Sequence, residues 1–479
     1  MFLRRLLSTR LRRVVFALVL LVALLGFAGW YALFRVVPVY YASPEEHFKY
    51  GSIGVEVPAG IPYWIWVEMP KVFPDLLPNN GEGGYVSLGA SWEDGKEMPI
   101  GFTKMTVGFP RVGVNCAGCH TTSVRTSTSD KPKFYLGGPS ARFRAQDYLR
   151  FLFACAKDPR FNADTLMAKI NNDYNLNIVD RILYRYIIIP QTKAQLIKTE
   201  QDSYYWMAER PDWGPGRTDM DPFKLLVLGL PDDHTVGSTD MMPVWNERAS
   251  ETYLRHSDGL NTTLVESVRS AALAAAATKK SIDIEGLDRV QQYLMDLPVP
   301  KYPFAVNEQL TARGREVFDR DCAVCHAPGS ARIGKVIPLE ELGTDPNRNR
   351  HWTPAAADAF NHYAPEKPWA FHNFQSTNGY TARSLEGLWL RAPYLHNGSV
   401  PSLVDLLKPP DERPKLFYRG HDVYDQENVG FVSFGPEAEK YGWKYDTVNV
   451  IGNGNWGHTW GTALSADDKK ALTEYLKTL

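Results

Sequence analysis

Gly314-Arg-Glu-Val-Phe-Asp-Arg-Asp-Cys-Ala-Val-Cys-His326 is the stretch that decides how the rest of the chain is read. Cys322, Cys325 and His326 form C-x-x-C-H, the attachment signature of a c-type haem. Each thiol adds across one haem vinyl group, and the adjacent histidine is placed to become the proximal iron ligand. Gly314, Phe318 and Cys322 are four apart and so share one helix face. Thr311 is placed to cap the start of that helix. A zinc site would need a second ligand pair at matching spacing. A thioredoxin-like dithiol would need a βαβ setting. The sequence offers neither.

The motif occurs twice. Cys116-Ala-Gly-Cys-His120 repeats it, so four of the five cysteines are used. The expectation is two covalently bound c-type haems with His120 and His326 as proximal ligands. Cys155 stands in an apolar helical pattern and reads as a small buried hydrophobe.

A chain of 479 residues has room for two or three domains. Its net charge of −1 argues against a nucleic-acid partner. At the N-terminus, Arg4, Arg5, Arg10, Arg12 and Arg13 precede a charge-free run over 14–34. That run is long enough to cross a bilayer. Trp30 and Tyr31 sit at its far end, where an aromatic belt belongs. The basic segment 1–13 holds the N-terminus in the cytoplasm. The expected arrangement is one pass through the inner membrane with the globular part in the periplasm. A cleaved signal peptide is the competing reading, with Gly26-Phe-Ala28 as its small-x-small site.

Beyond the anchor, 40–115 is rich in Gly, Pro and aromatics and reads as loops with short strands. Ser140 is placed to cap a helix through Phe153. Helices follow over 164–171 and 178–188, the latter stopped by Pro190. Thr263-x-x-Glu266 is a capping box before a helix over 264–277. A helix over 284–297 ends in Tyr293-Leu294-x-x-Leu297, and the chain ends in Tyr475-Leu476-x-x-Leu479. Each half thus begins its chemistry with C-x-x-C-H and closes with a Y-L-x-x-L helix. Ser465 caps the second of these. No G-x-x-x-F helix directly precedes Cys116. The fold class expected is mainly α: two cytochrome c-like haem domains with long loops and helical insertions, after one transmembrane helix. The first domain spans 40–298 and the second 305–479, joined by a proline-rich linker.

Sixth iron ligands separate electron transfer from chemistry. No Met follows Met295, so the second half has no Met ligand of its own. Its remaining histidines are His351, His362, His372, His396, His421 and His458, most of which read as surface or capping residues. His458 follows the Gly452-Asn-Gly-Asn-Trp-Gly loop, which can bring a side chain to a haem face without bulk. It leads the candidates, with His396 next. For the first haem the distal candidates are His256 and His234, and either also reads as a structural histidine.

Ser384-Leu-Glu-Gly-Leu-Trp-Leu-Arg-Ala-Pro-Tyr-Leu-His-Asn-Gly-Ser-Val-Pro-Ser-Leu403 resembles a signature of bacterial di-haem cytochromes. That group includes di-haem cytochrome c peroxidases, the methylamine-utilisation di-haem enzyme and haem-containing rubber oxygenases. The rubber-oxygenase-like branch is most similar, through 113–120, 147–156, 243–246, 425–432 and the loop carrying His458. The resemblance implies a reactive N-terminal haem and a six-coordinate, electron-moving C-terminal haem. It implies His458 as the distal ligand of the latter and His396 as a residue beside the haem. It also implies Arg383 on a propionate. Trp245 reads equally as an inter-haem aromatic or a plain core residue. The peroxidases' Met ligand is missing here.

The function expected is a membrane-anchored di-haem redox protein. Its C-terminal haem transfers electrons and its N-terminal haem takes peroxide or oxygen. Its partners are a periplasmic or membrane electron donor or acceptor and a small oxidant. The alternative is a pure periplasmic electron carrier with two closed haems.

Overall fold

The computed structural model describes residues 9–479, so Arg4 and Arg5 of the basic segment lie outside the described residues. Helix α1 (Thr9–Phe34) is apolar over 10–31, and none of that span is buried by the rest of the protein. Length and composition suit it to cross a bilayer, as an anchor or a signal sequence. Helices dominate the remainder and are joined by long turns and small antiparallel sheets.

The architecture is clearest at the end of the chain. Helix α4 (Glu308–Asp321) leads into Cys322, and helix α5 (Ala466–Leu476) packs across it. Gly314 is the crossing point. A Cβ there would lie 2.0 Å from the Ala471 carbonyl oxygen, so only glycine lets the two backbones meet. Phe318 then packs on Tyr475 with ring centres 5.3 Å apart. Ser465 Oγ caps α5 by accepting from the Asp468 amide. At the start of α4 the cap is Asn307, not Thr311. Thr311 lies inside the helix and bonds back to the Asn307 carbonyl. The Asn307 side chain is better placed because its Oδ1 reaches the Leu310 amide.

The first half contains the same pair in a form hidden from the sequence. Helix α2 (Pro44–Tyr50) packs against α3 (Ile284–Asp296), the other Y-L-x-x-L helix. Phe48 meets Tyr293 with ring centres 5.4 Å apart, the counterpart of Phe318 and Tyr475. The chain between α2 and Cys116 makes an excursion instead of passing straight into the motif. It contains a helix, Tyr63–Val72, and most of a four-stranded antiparallel sheet. The strands β1 (Val36–Val37), β2 (Ile61–Pro62), β3 (Phe102–Val107) and β4 (Phe109–Val114) run in the order β1-β3-β4-β2. The hairpin β3–β4 pairs Phe102 with Val114 and delivers the chain to Asn115. Asn115 Nδ2 then donates to the Phe48 and Gly51 carbonyls, tying the motif back onto α2.

Two other local expectations are corrected. Ser140 does not cap a helix: its hydroxyl accepts from the Phe143 amide in a turn, and the helix begins at Ala145. Pro190 does not stop the helix that begins at Ile178. The chain passes through a widened turn, Tyr184–Ile188, into a further helix, Ile189–Ser203. In that turn bonding shifts to i→i+5, and Pro190 falls in the first turn of the next segment, where its missing N–H costs nothing.

The two halves interlock. One apolar core takes residues from both, including Phe48, Tyr148, Leu294, Phe318, Trp389 and Leu472. Asp422, fully buried, pairs with Arg125 and Arg142 and accepts from the Ser123 hydroxyl.

Candidate haem sites

Each motif histidine is oriented through its inner nitrogen. His326 Nδ1 lies 2.8 Å from the Arg383 carbonyl oxygen, and His120 Nδ1 lies 2.8 Å from that of Met242. A carbonyl can only accept, so Nδ1 carries the proton in both rings. Nε2 is left as the lone-pair donor a metal needs. Burial lowers the pKa of both histidines, His120 to about 4, which keeps them in the neutral, ligating form. The two residues whose carbonyls accept these bonds also touch each other: Arg383 Nη2 reaches Met242 Sδ at 3.5 Å. A short polar path therefore links one motif histidine to the other.

A cavity of about 340 Å³ opens beside the second motif, lined by Cys322, Cys325, His326, Arg383, His396 and His458. Across it the rings of His326 and His458 face each other with centres 6.3 Å apart. Two imidazoles bound through nitrogen to one metal at roughly 2 Å each have ring centres about 6 Å apart. The separation therefore accommodates one iron between them.

The His458 loop is held rigidly. Asn397 Nδ2 donates to the carbonyls of Gly452 and Gly454, and Ser399 Oγ donates to Gly454. Arg413, 2% exposed, donates to the carbonyls of Asn455, Gly457 and His458. The His-Asn-Gly-Ser segment at 396–399 thus clamps the loop that presents His458. His396 itself stacks on Tyr380 at 3.8 Å and does not face His326.

Two further arginines face the cavity. Arg383 and Arg391 are half-buried, and neither has a carboxylate ion pair among the described residues. Burial lowers each to a pKa of about 10. Arg383 donates to the His256 carbonyl, and Arg391 donates to the Ser384 carbonyl and lies over the Trp245 ring. Two half-buried cations without carboxylate partners make the cavity wall attractive to an anion. Haem propionates have the charge and geometry to do so. The residues present fit a c-type haem.

The first motif is set differently. Among the described residues no ring faces His120 as His458 faces His326. His256 is half-buried at a left-handed backbone position, with its Nε2 shielded from solvent and unpartnered. Burial first, then Arg348, Arg383, Arg255 and His120, lowers its pKa to about 3. His234 is removed from the distal candidates. Its side chain is 69% exposed and pairs with Glu209, a surface role. Cys116 packs against an apolar cluster that includes Val55 and Ala277, and those two residues also line a second cavity of about 790 Å³. Other walls of that cavity, including Tyr148, Leu152, Phe153 and Leu273, come from the long segment between His120 and α3.

Sequence reasoning missed Met242, Arg391 and Arg413. Met242 acts through its carbonyl, which leaves no side-chain signal. Arg391 lies within the 384–403 motif but had no assigned role. Arg413 follows Asp411 and Glu412 and reads there as a solvated charge.

A family model described as RoxA-like, cytochrome c-like matches residues 379–418, which include Tyr380, Arg383, Arg391, His396, Asn397 and Arg413. Two curated proteins of Sinorhizobium fredii (strain NBRC 101917 / NGR234) are similar. The uncharacterized protein y4iM is 30% identical over 286 residues, 50% of this chain and 64% of that protein. The uncharacterized protein y4iJ is 42% identical over 117 residues, 22% of this chain and 19% of that protein. The chain therefore spans less than two thirds of the length of either relative. Among solved structures, hydrazine synthase of Kuenenia stuttgartiensis is 14% identical, with 51% of this chain and 73% of that chain covered. Its TM-score of 0.23 carries no argument about fold or activity. The C-x-x-C-H pocket at Cys322–His326 and the cytochrome c-like match beside it support a covalently bound c-type haem at this site.

Proposed function

We propose that the chain is a membrane-tethered di-haem c-type cytochrome that acts as an oxidoreductase on a small oxidant. In this reading Cys116, Cys119 and His120 hold one haem, and Cys322, Cys325 and His326 hold the other. His458 is the sixth ligand at the second site. The haems supply one-electron exchange and, where a coordination position is open, a binding place for peroxide or oxygen.

The observation that carries the proposal is the asymmetry of the two sites. His326 is faced by a histidine on a clamped loop, whereas among the described residues no ring faces His120. A site closed on both sides suits electron transfer; a site with a free side suits chemistry. His256 then shapes the open side of the first site as a neutral imidazole. Arg383 and Arg391 neutralise propionates. Met242 and Arg383 connect the two proximal histidines, with Trp245 buried in the same wall. The apolar α1 and the exported location of c-type haem proteins support a tether in the inner membrane with the haems in the periplasm. Electrons then come from a periplasmic or membrane donor.

The test is exogenous ligand binding by the purified full chain. Carbon monoxide on the reduced protein and cyanide on the oxidised protein should each occupy half of the haem. Peroxide or oxygen should be consumed when a reductant is supplied. The unpartnered Nε2 of His256 favours a second reading, in which His256 closes the first site and the protein is a pure carrier. That reading predicts no ligand binding in either oxidation state until His256→Ala opens the site.

A further inference from the structure

Away from both motifs, three buried side chains converge. His351 Nε2 lies 3.1 Å from Asp219 Oδ1 and 3.4 Å from Asp221 Oδ1. The side chains are 0%, 1% and 1% exposed. Neither His351 Nε2 nor Asp221 Oδ1 has a hydrogen-bond partner.

The surrounding hydrogen bonds fix the protonation of His351. The Thr235 hydroxyl donates its one proton to Asp233 Oδ1, at 2.6 Å. Towards His351 Nδ1, also at 2.6 Å, that oxygen must accept. Nδ1 is therefore the N–H, and in the neutral ring Nε2 turns a lone pair towards two carboxylate oxygens. Three acceptors aimed at one point repel unless a cation lies among them. A proton on Nε2 would serve only with good hydrogen-bond geometry to a carboxylate, and neither contact has it.

The charge balance points the same way. Asp219 and Asp221 face the ring, Asp233 reaches it through the Thr235 hydroxyl, and Asp232 shares Arg210 with Asp221. The cations bonded to them are Arg210, paired with Asp221 and Asp232, and Lys224, paired with Asp233. Arg348 is nearby but is paired with Asp258. Two negative charges remain, the amount one divalent ion neutralises. Donor spacing agrees too. Bonds of roughly 2.0–2.2 Å place neighbouring ligand atoms about 3.0–3.5 Å apart. The packing supports a fixed ring position: Gly237 lies against His351, and a Cβ there would sit 2.5 Å from the ring.

We propose that Asp219, Asp221 and His351 form a site for one divalent transition-metal ion of the zinc class. An imidazole ligand argues against calcium and magnesium, which take oxygen ligands. The site is structural. It joins the segment 219–237 to the short helix Asn347–His351, and that helix also carries Arg348 to Asp258. The metal thereby fixes one charged wall near His256.

The experiment is elemental analysis of the purified holoprotein after dialysis against metal-free buffer. About one zinc per chain is expected beside the haem iron. Asp221→Asn, close to isosteric, should lower zinc at least tenfold and leave the haem content unchanged. If that variant does not fold, wild-type holoprotein stripped with a chelator and titrated with zinc against a chromophoric competitor should regain about one tight site. Wild type that neither retains zinc nor takes it up after stripping would overturn the proposal. Zinc retained at full stoichiometry by a folded Asp221→Asn protein would overturn it equally.

Discussion

At the scale of single residues, the account rests on how imidazoles are aimed. His458 is the sharpest case. His458→Ala should turn one low-spin haem high-spin, measured by optical and EPR spectra, while both thioether attachments survive. If the spectrum stayed unchanged there and changed in His396→Ala instead, the ligand would be His396. Asn397→Ala tests the clamp. It removes two buried hydrogen bonds to the loop carbonyls. A cost of about 2 kcal/mol in denaturant unfolding is expected, together with a mixture of spin states as the loop loosens. Much of this was legible in the sequence. The C-x-x-C-H motifs are unambiguous, and the lack of Met after Met295 directed attention to histidine. The anchoring carbonyls of Met242 and Arg383 were not legible, because a backbone acceptor imposes no residue type. His234 misled because a histidine after two aspartates reads alike whether it is buried or in solvent.

At the scale of elements, the unit is a helix crossed by a Y-L-x-x-L helix. In α4 and α5 this was readable, because Gly314, Phe318 and Cys322 follow one another at helical spacing. In the first half the same contact, Phe48 on Tyr293, is separated from its motif by the excursion through 51–115. Spacing along the chain cannot reveal a contact that the fold restores in space. The widened turn at Tyr184–Ile188 was hidden for a related reason. A proline ends a regular helix but is tolerated where the bonding ladder skips its missing donor. The crossing yields a prediction. Gly314→Ala places a methyl against the Ala471 carbonyl and should destabilise the protein by about 2 kcal/mol, read as a lower denaturation midpoint. Wild-type stability in that variant would mean that the helices are free to separate.

At the scale of the whole molecule, Asp422 joins the halves. Burial opposes its charge, but Arg142, Arg125 and the Ser123 hydroxyl outweigh burial and hold its carboxyl below the ordinary value. Asp422→Asn leaves two arginines without their partner and should cost about 3 kcal/mol at neutral pH. A carboxyl depressed in the folded state stabilises fully above its unfolded pKa, near 3.9. That contribution is lost as pH falls through the lower folded value. The stability gap between wild type and Asp422→Asn should therefore be flat above about pH 5 and shrink below about pH 4. A gap that persisted unchanged into strong acid would mean the pairs do not hold the halves together. The same molecule-wide arrangement gives the two motifs unequal surroundings, one facing His458 and the other faced by no ring among the described residues. The most direct test of that inequality is low-temperature EPR of the oxidised full chain with iron quantified. The account predicts two haem irons per chain in equal amounts, one low-spin with two histidine ligands and one high-spin and shifted by cyanide. A single haem iron, or two low-spin irons indifferent to cyanide, would contradict it.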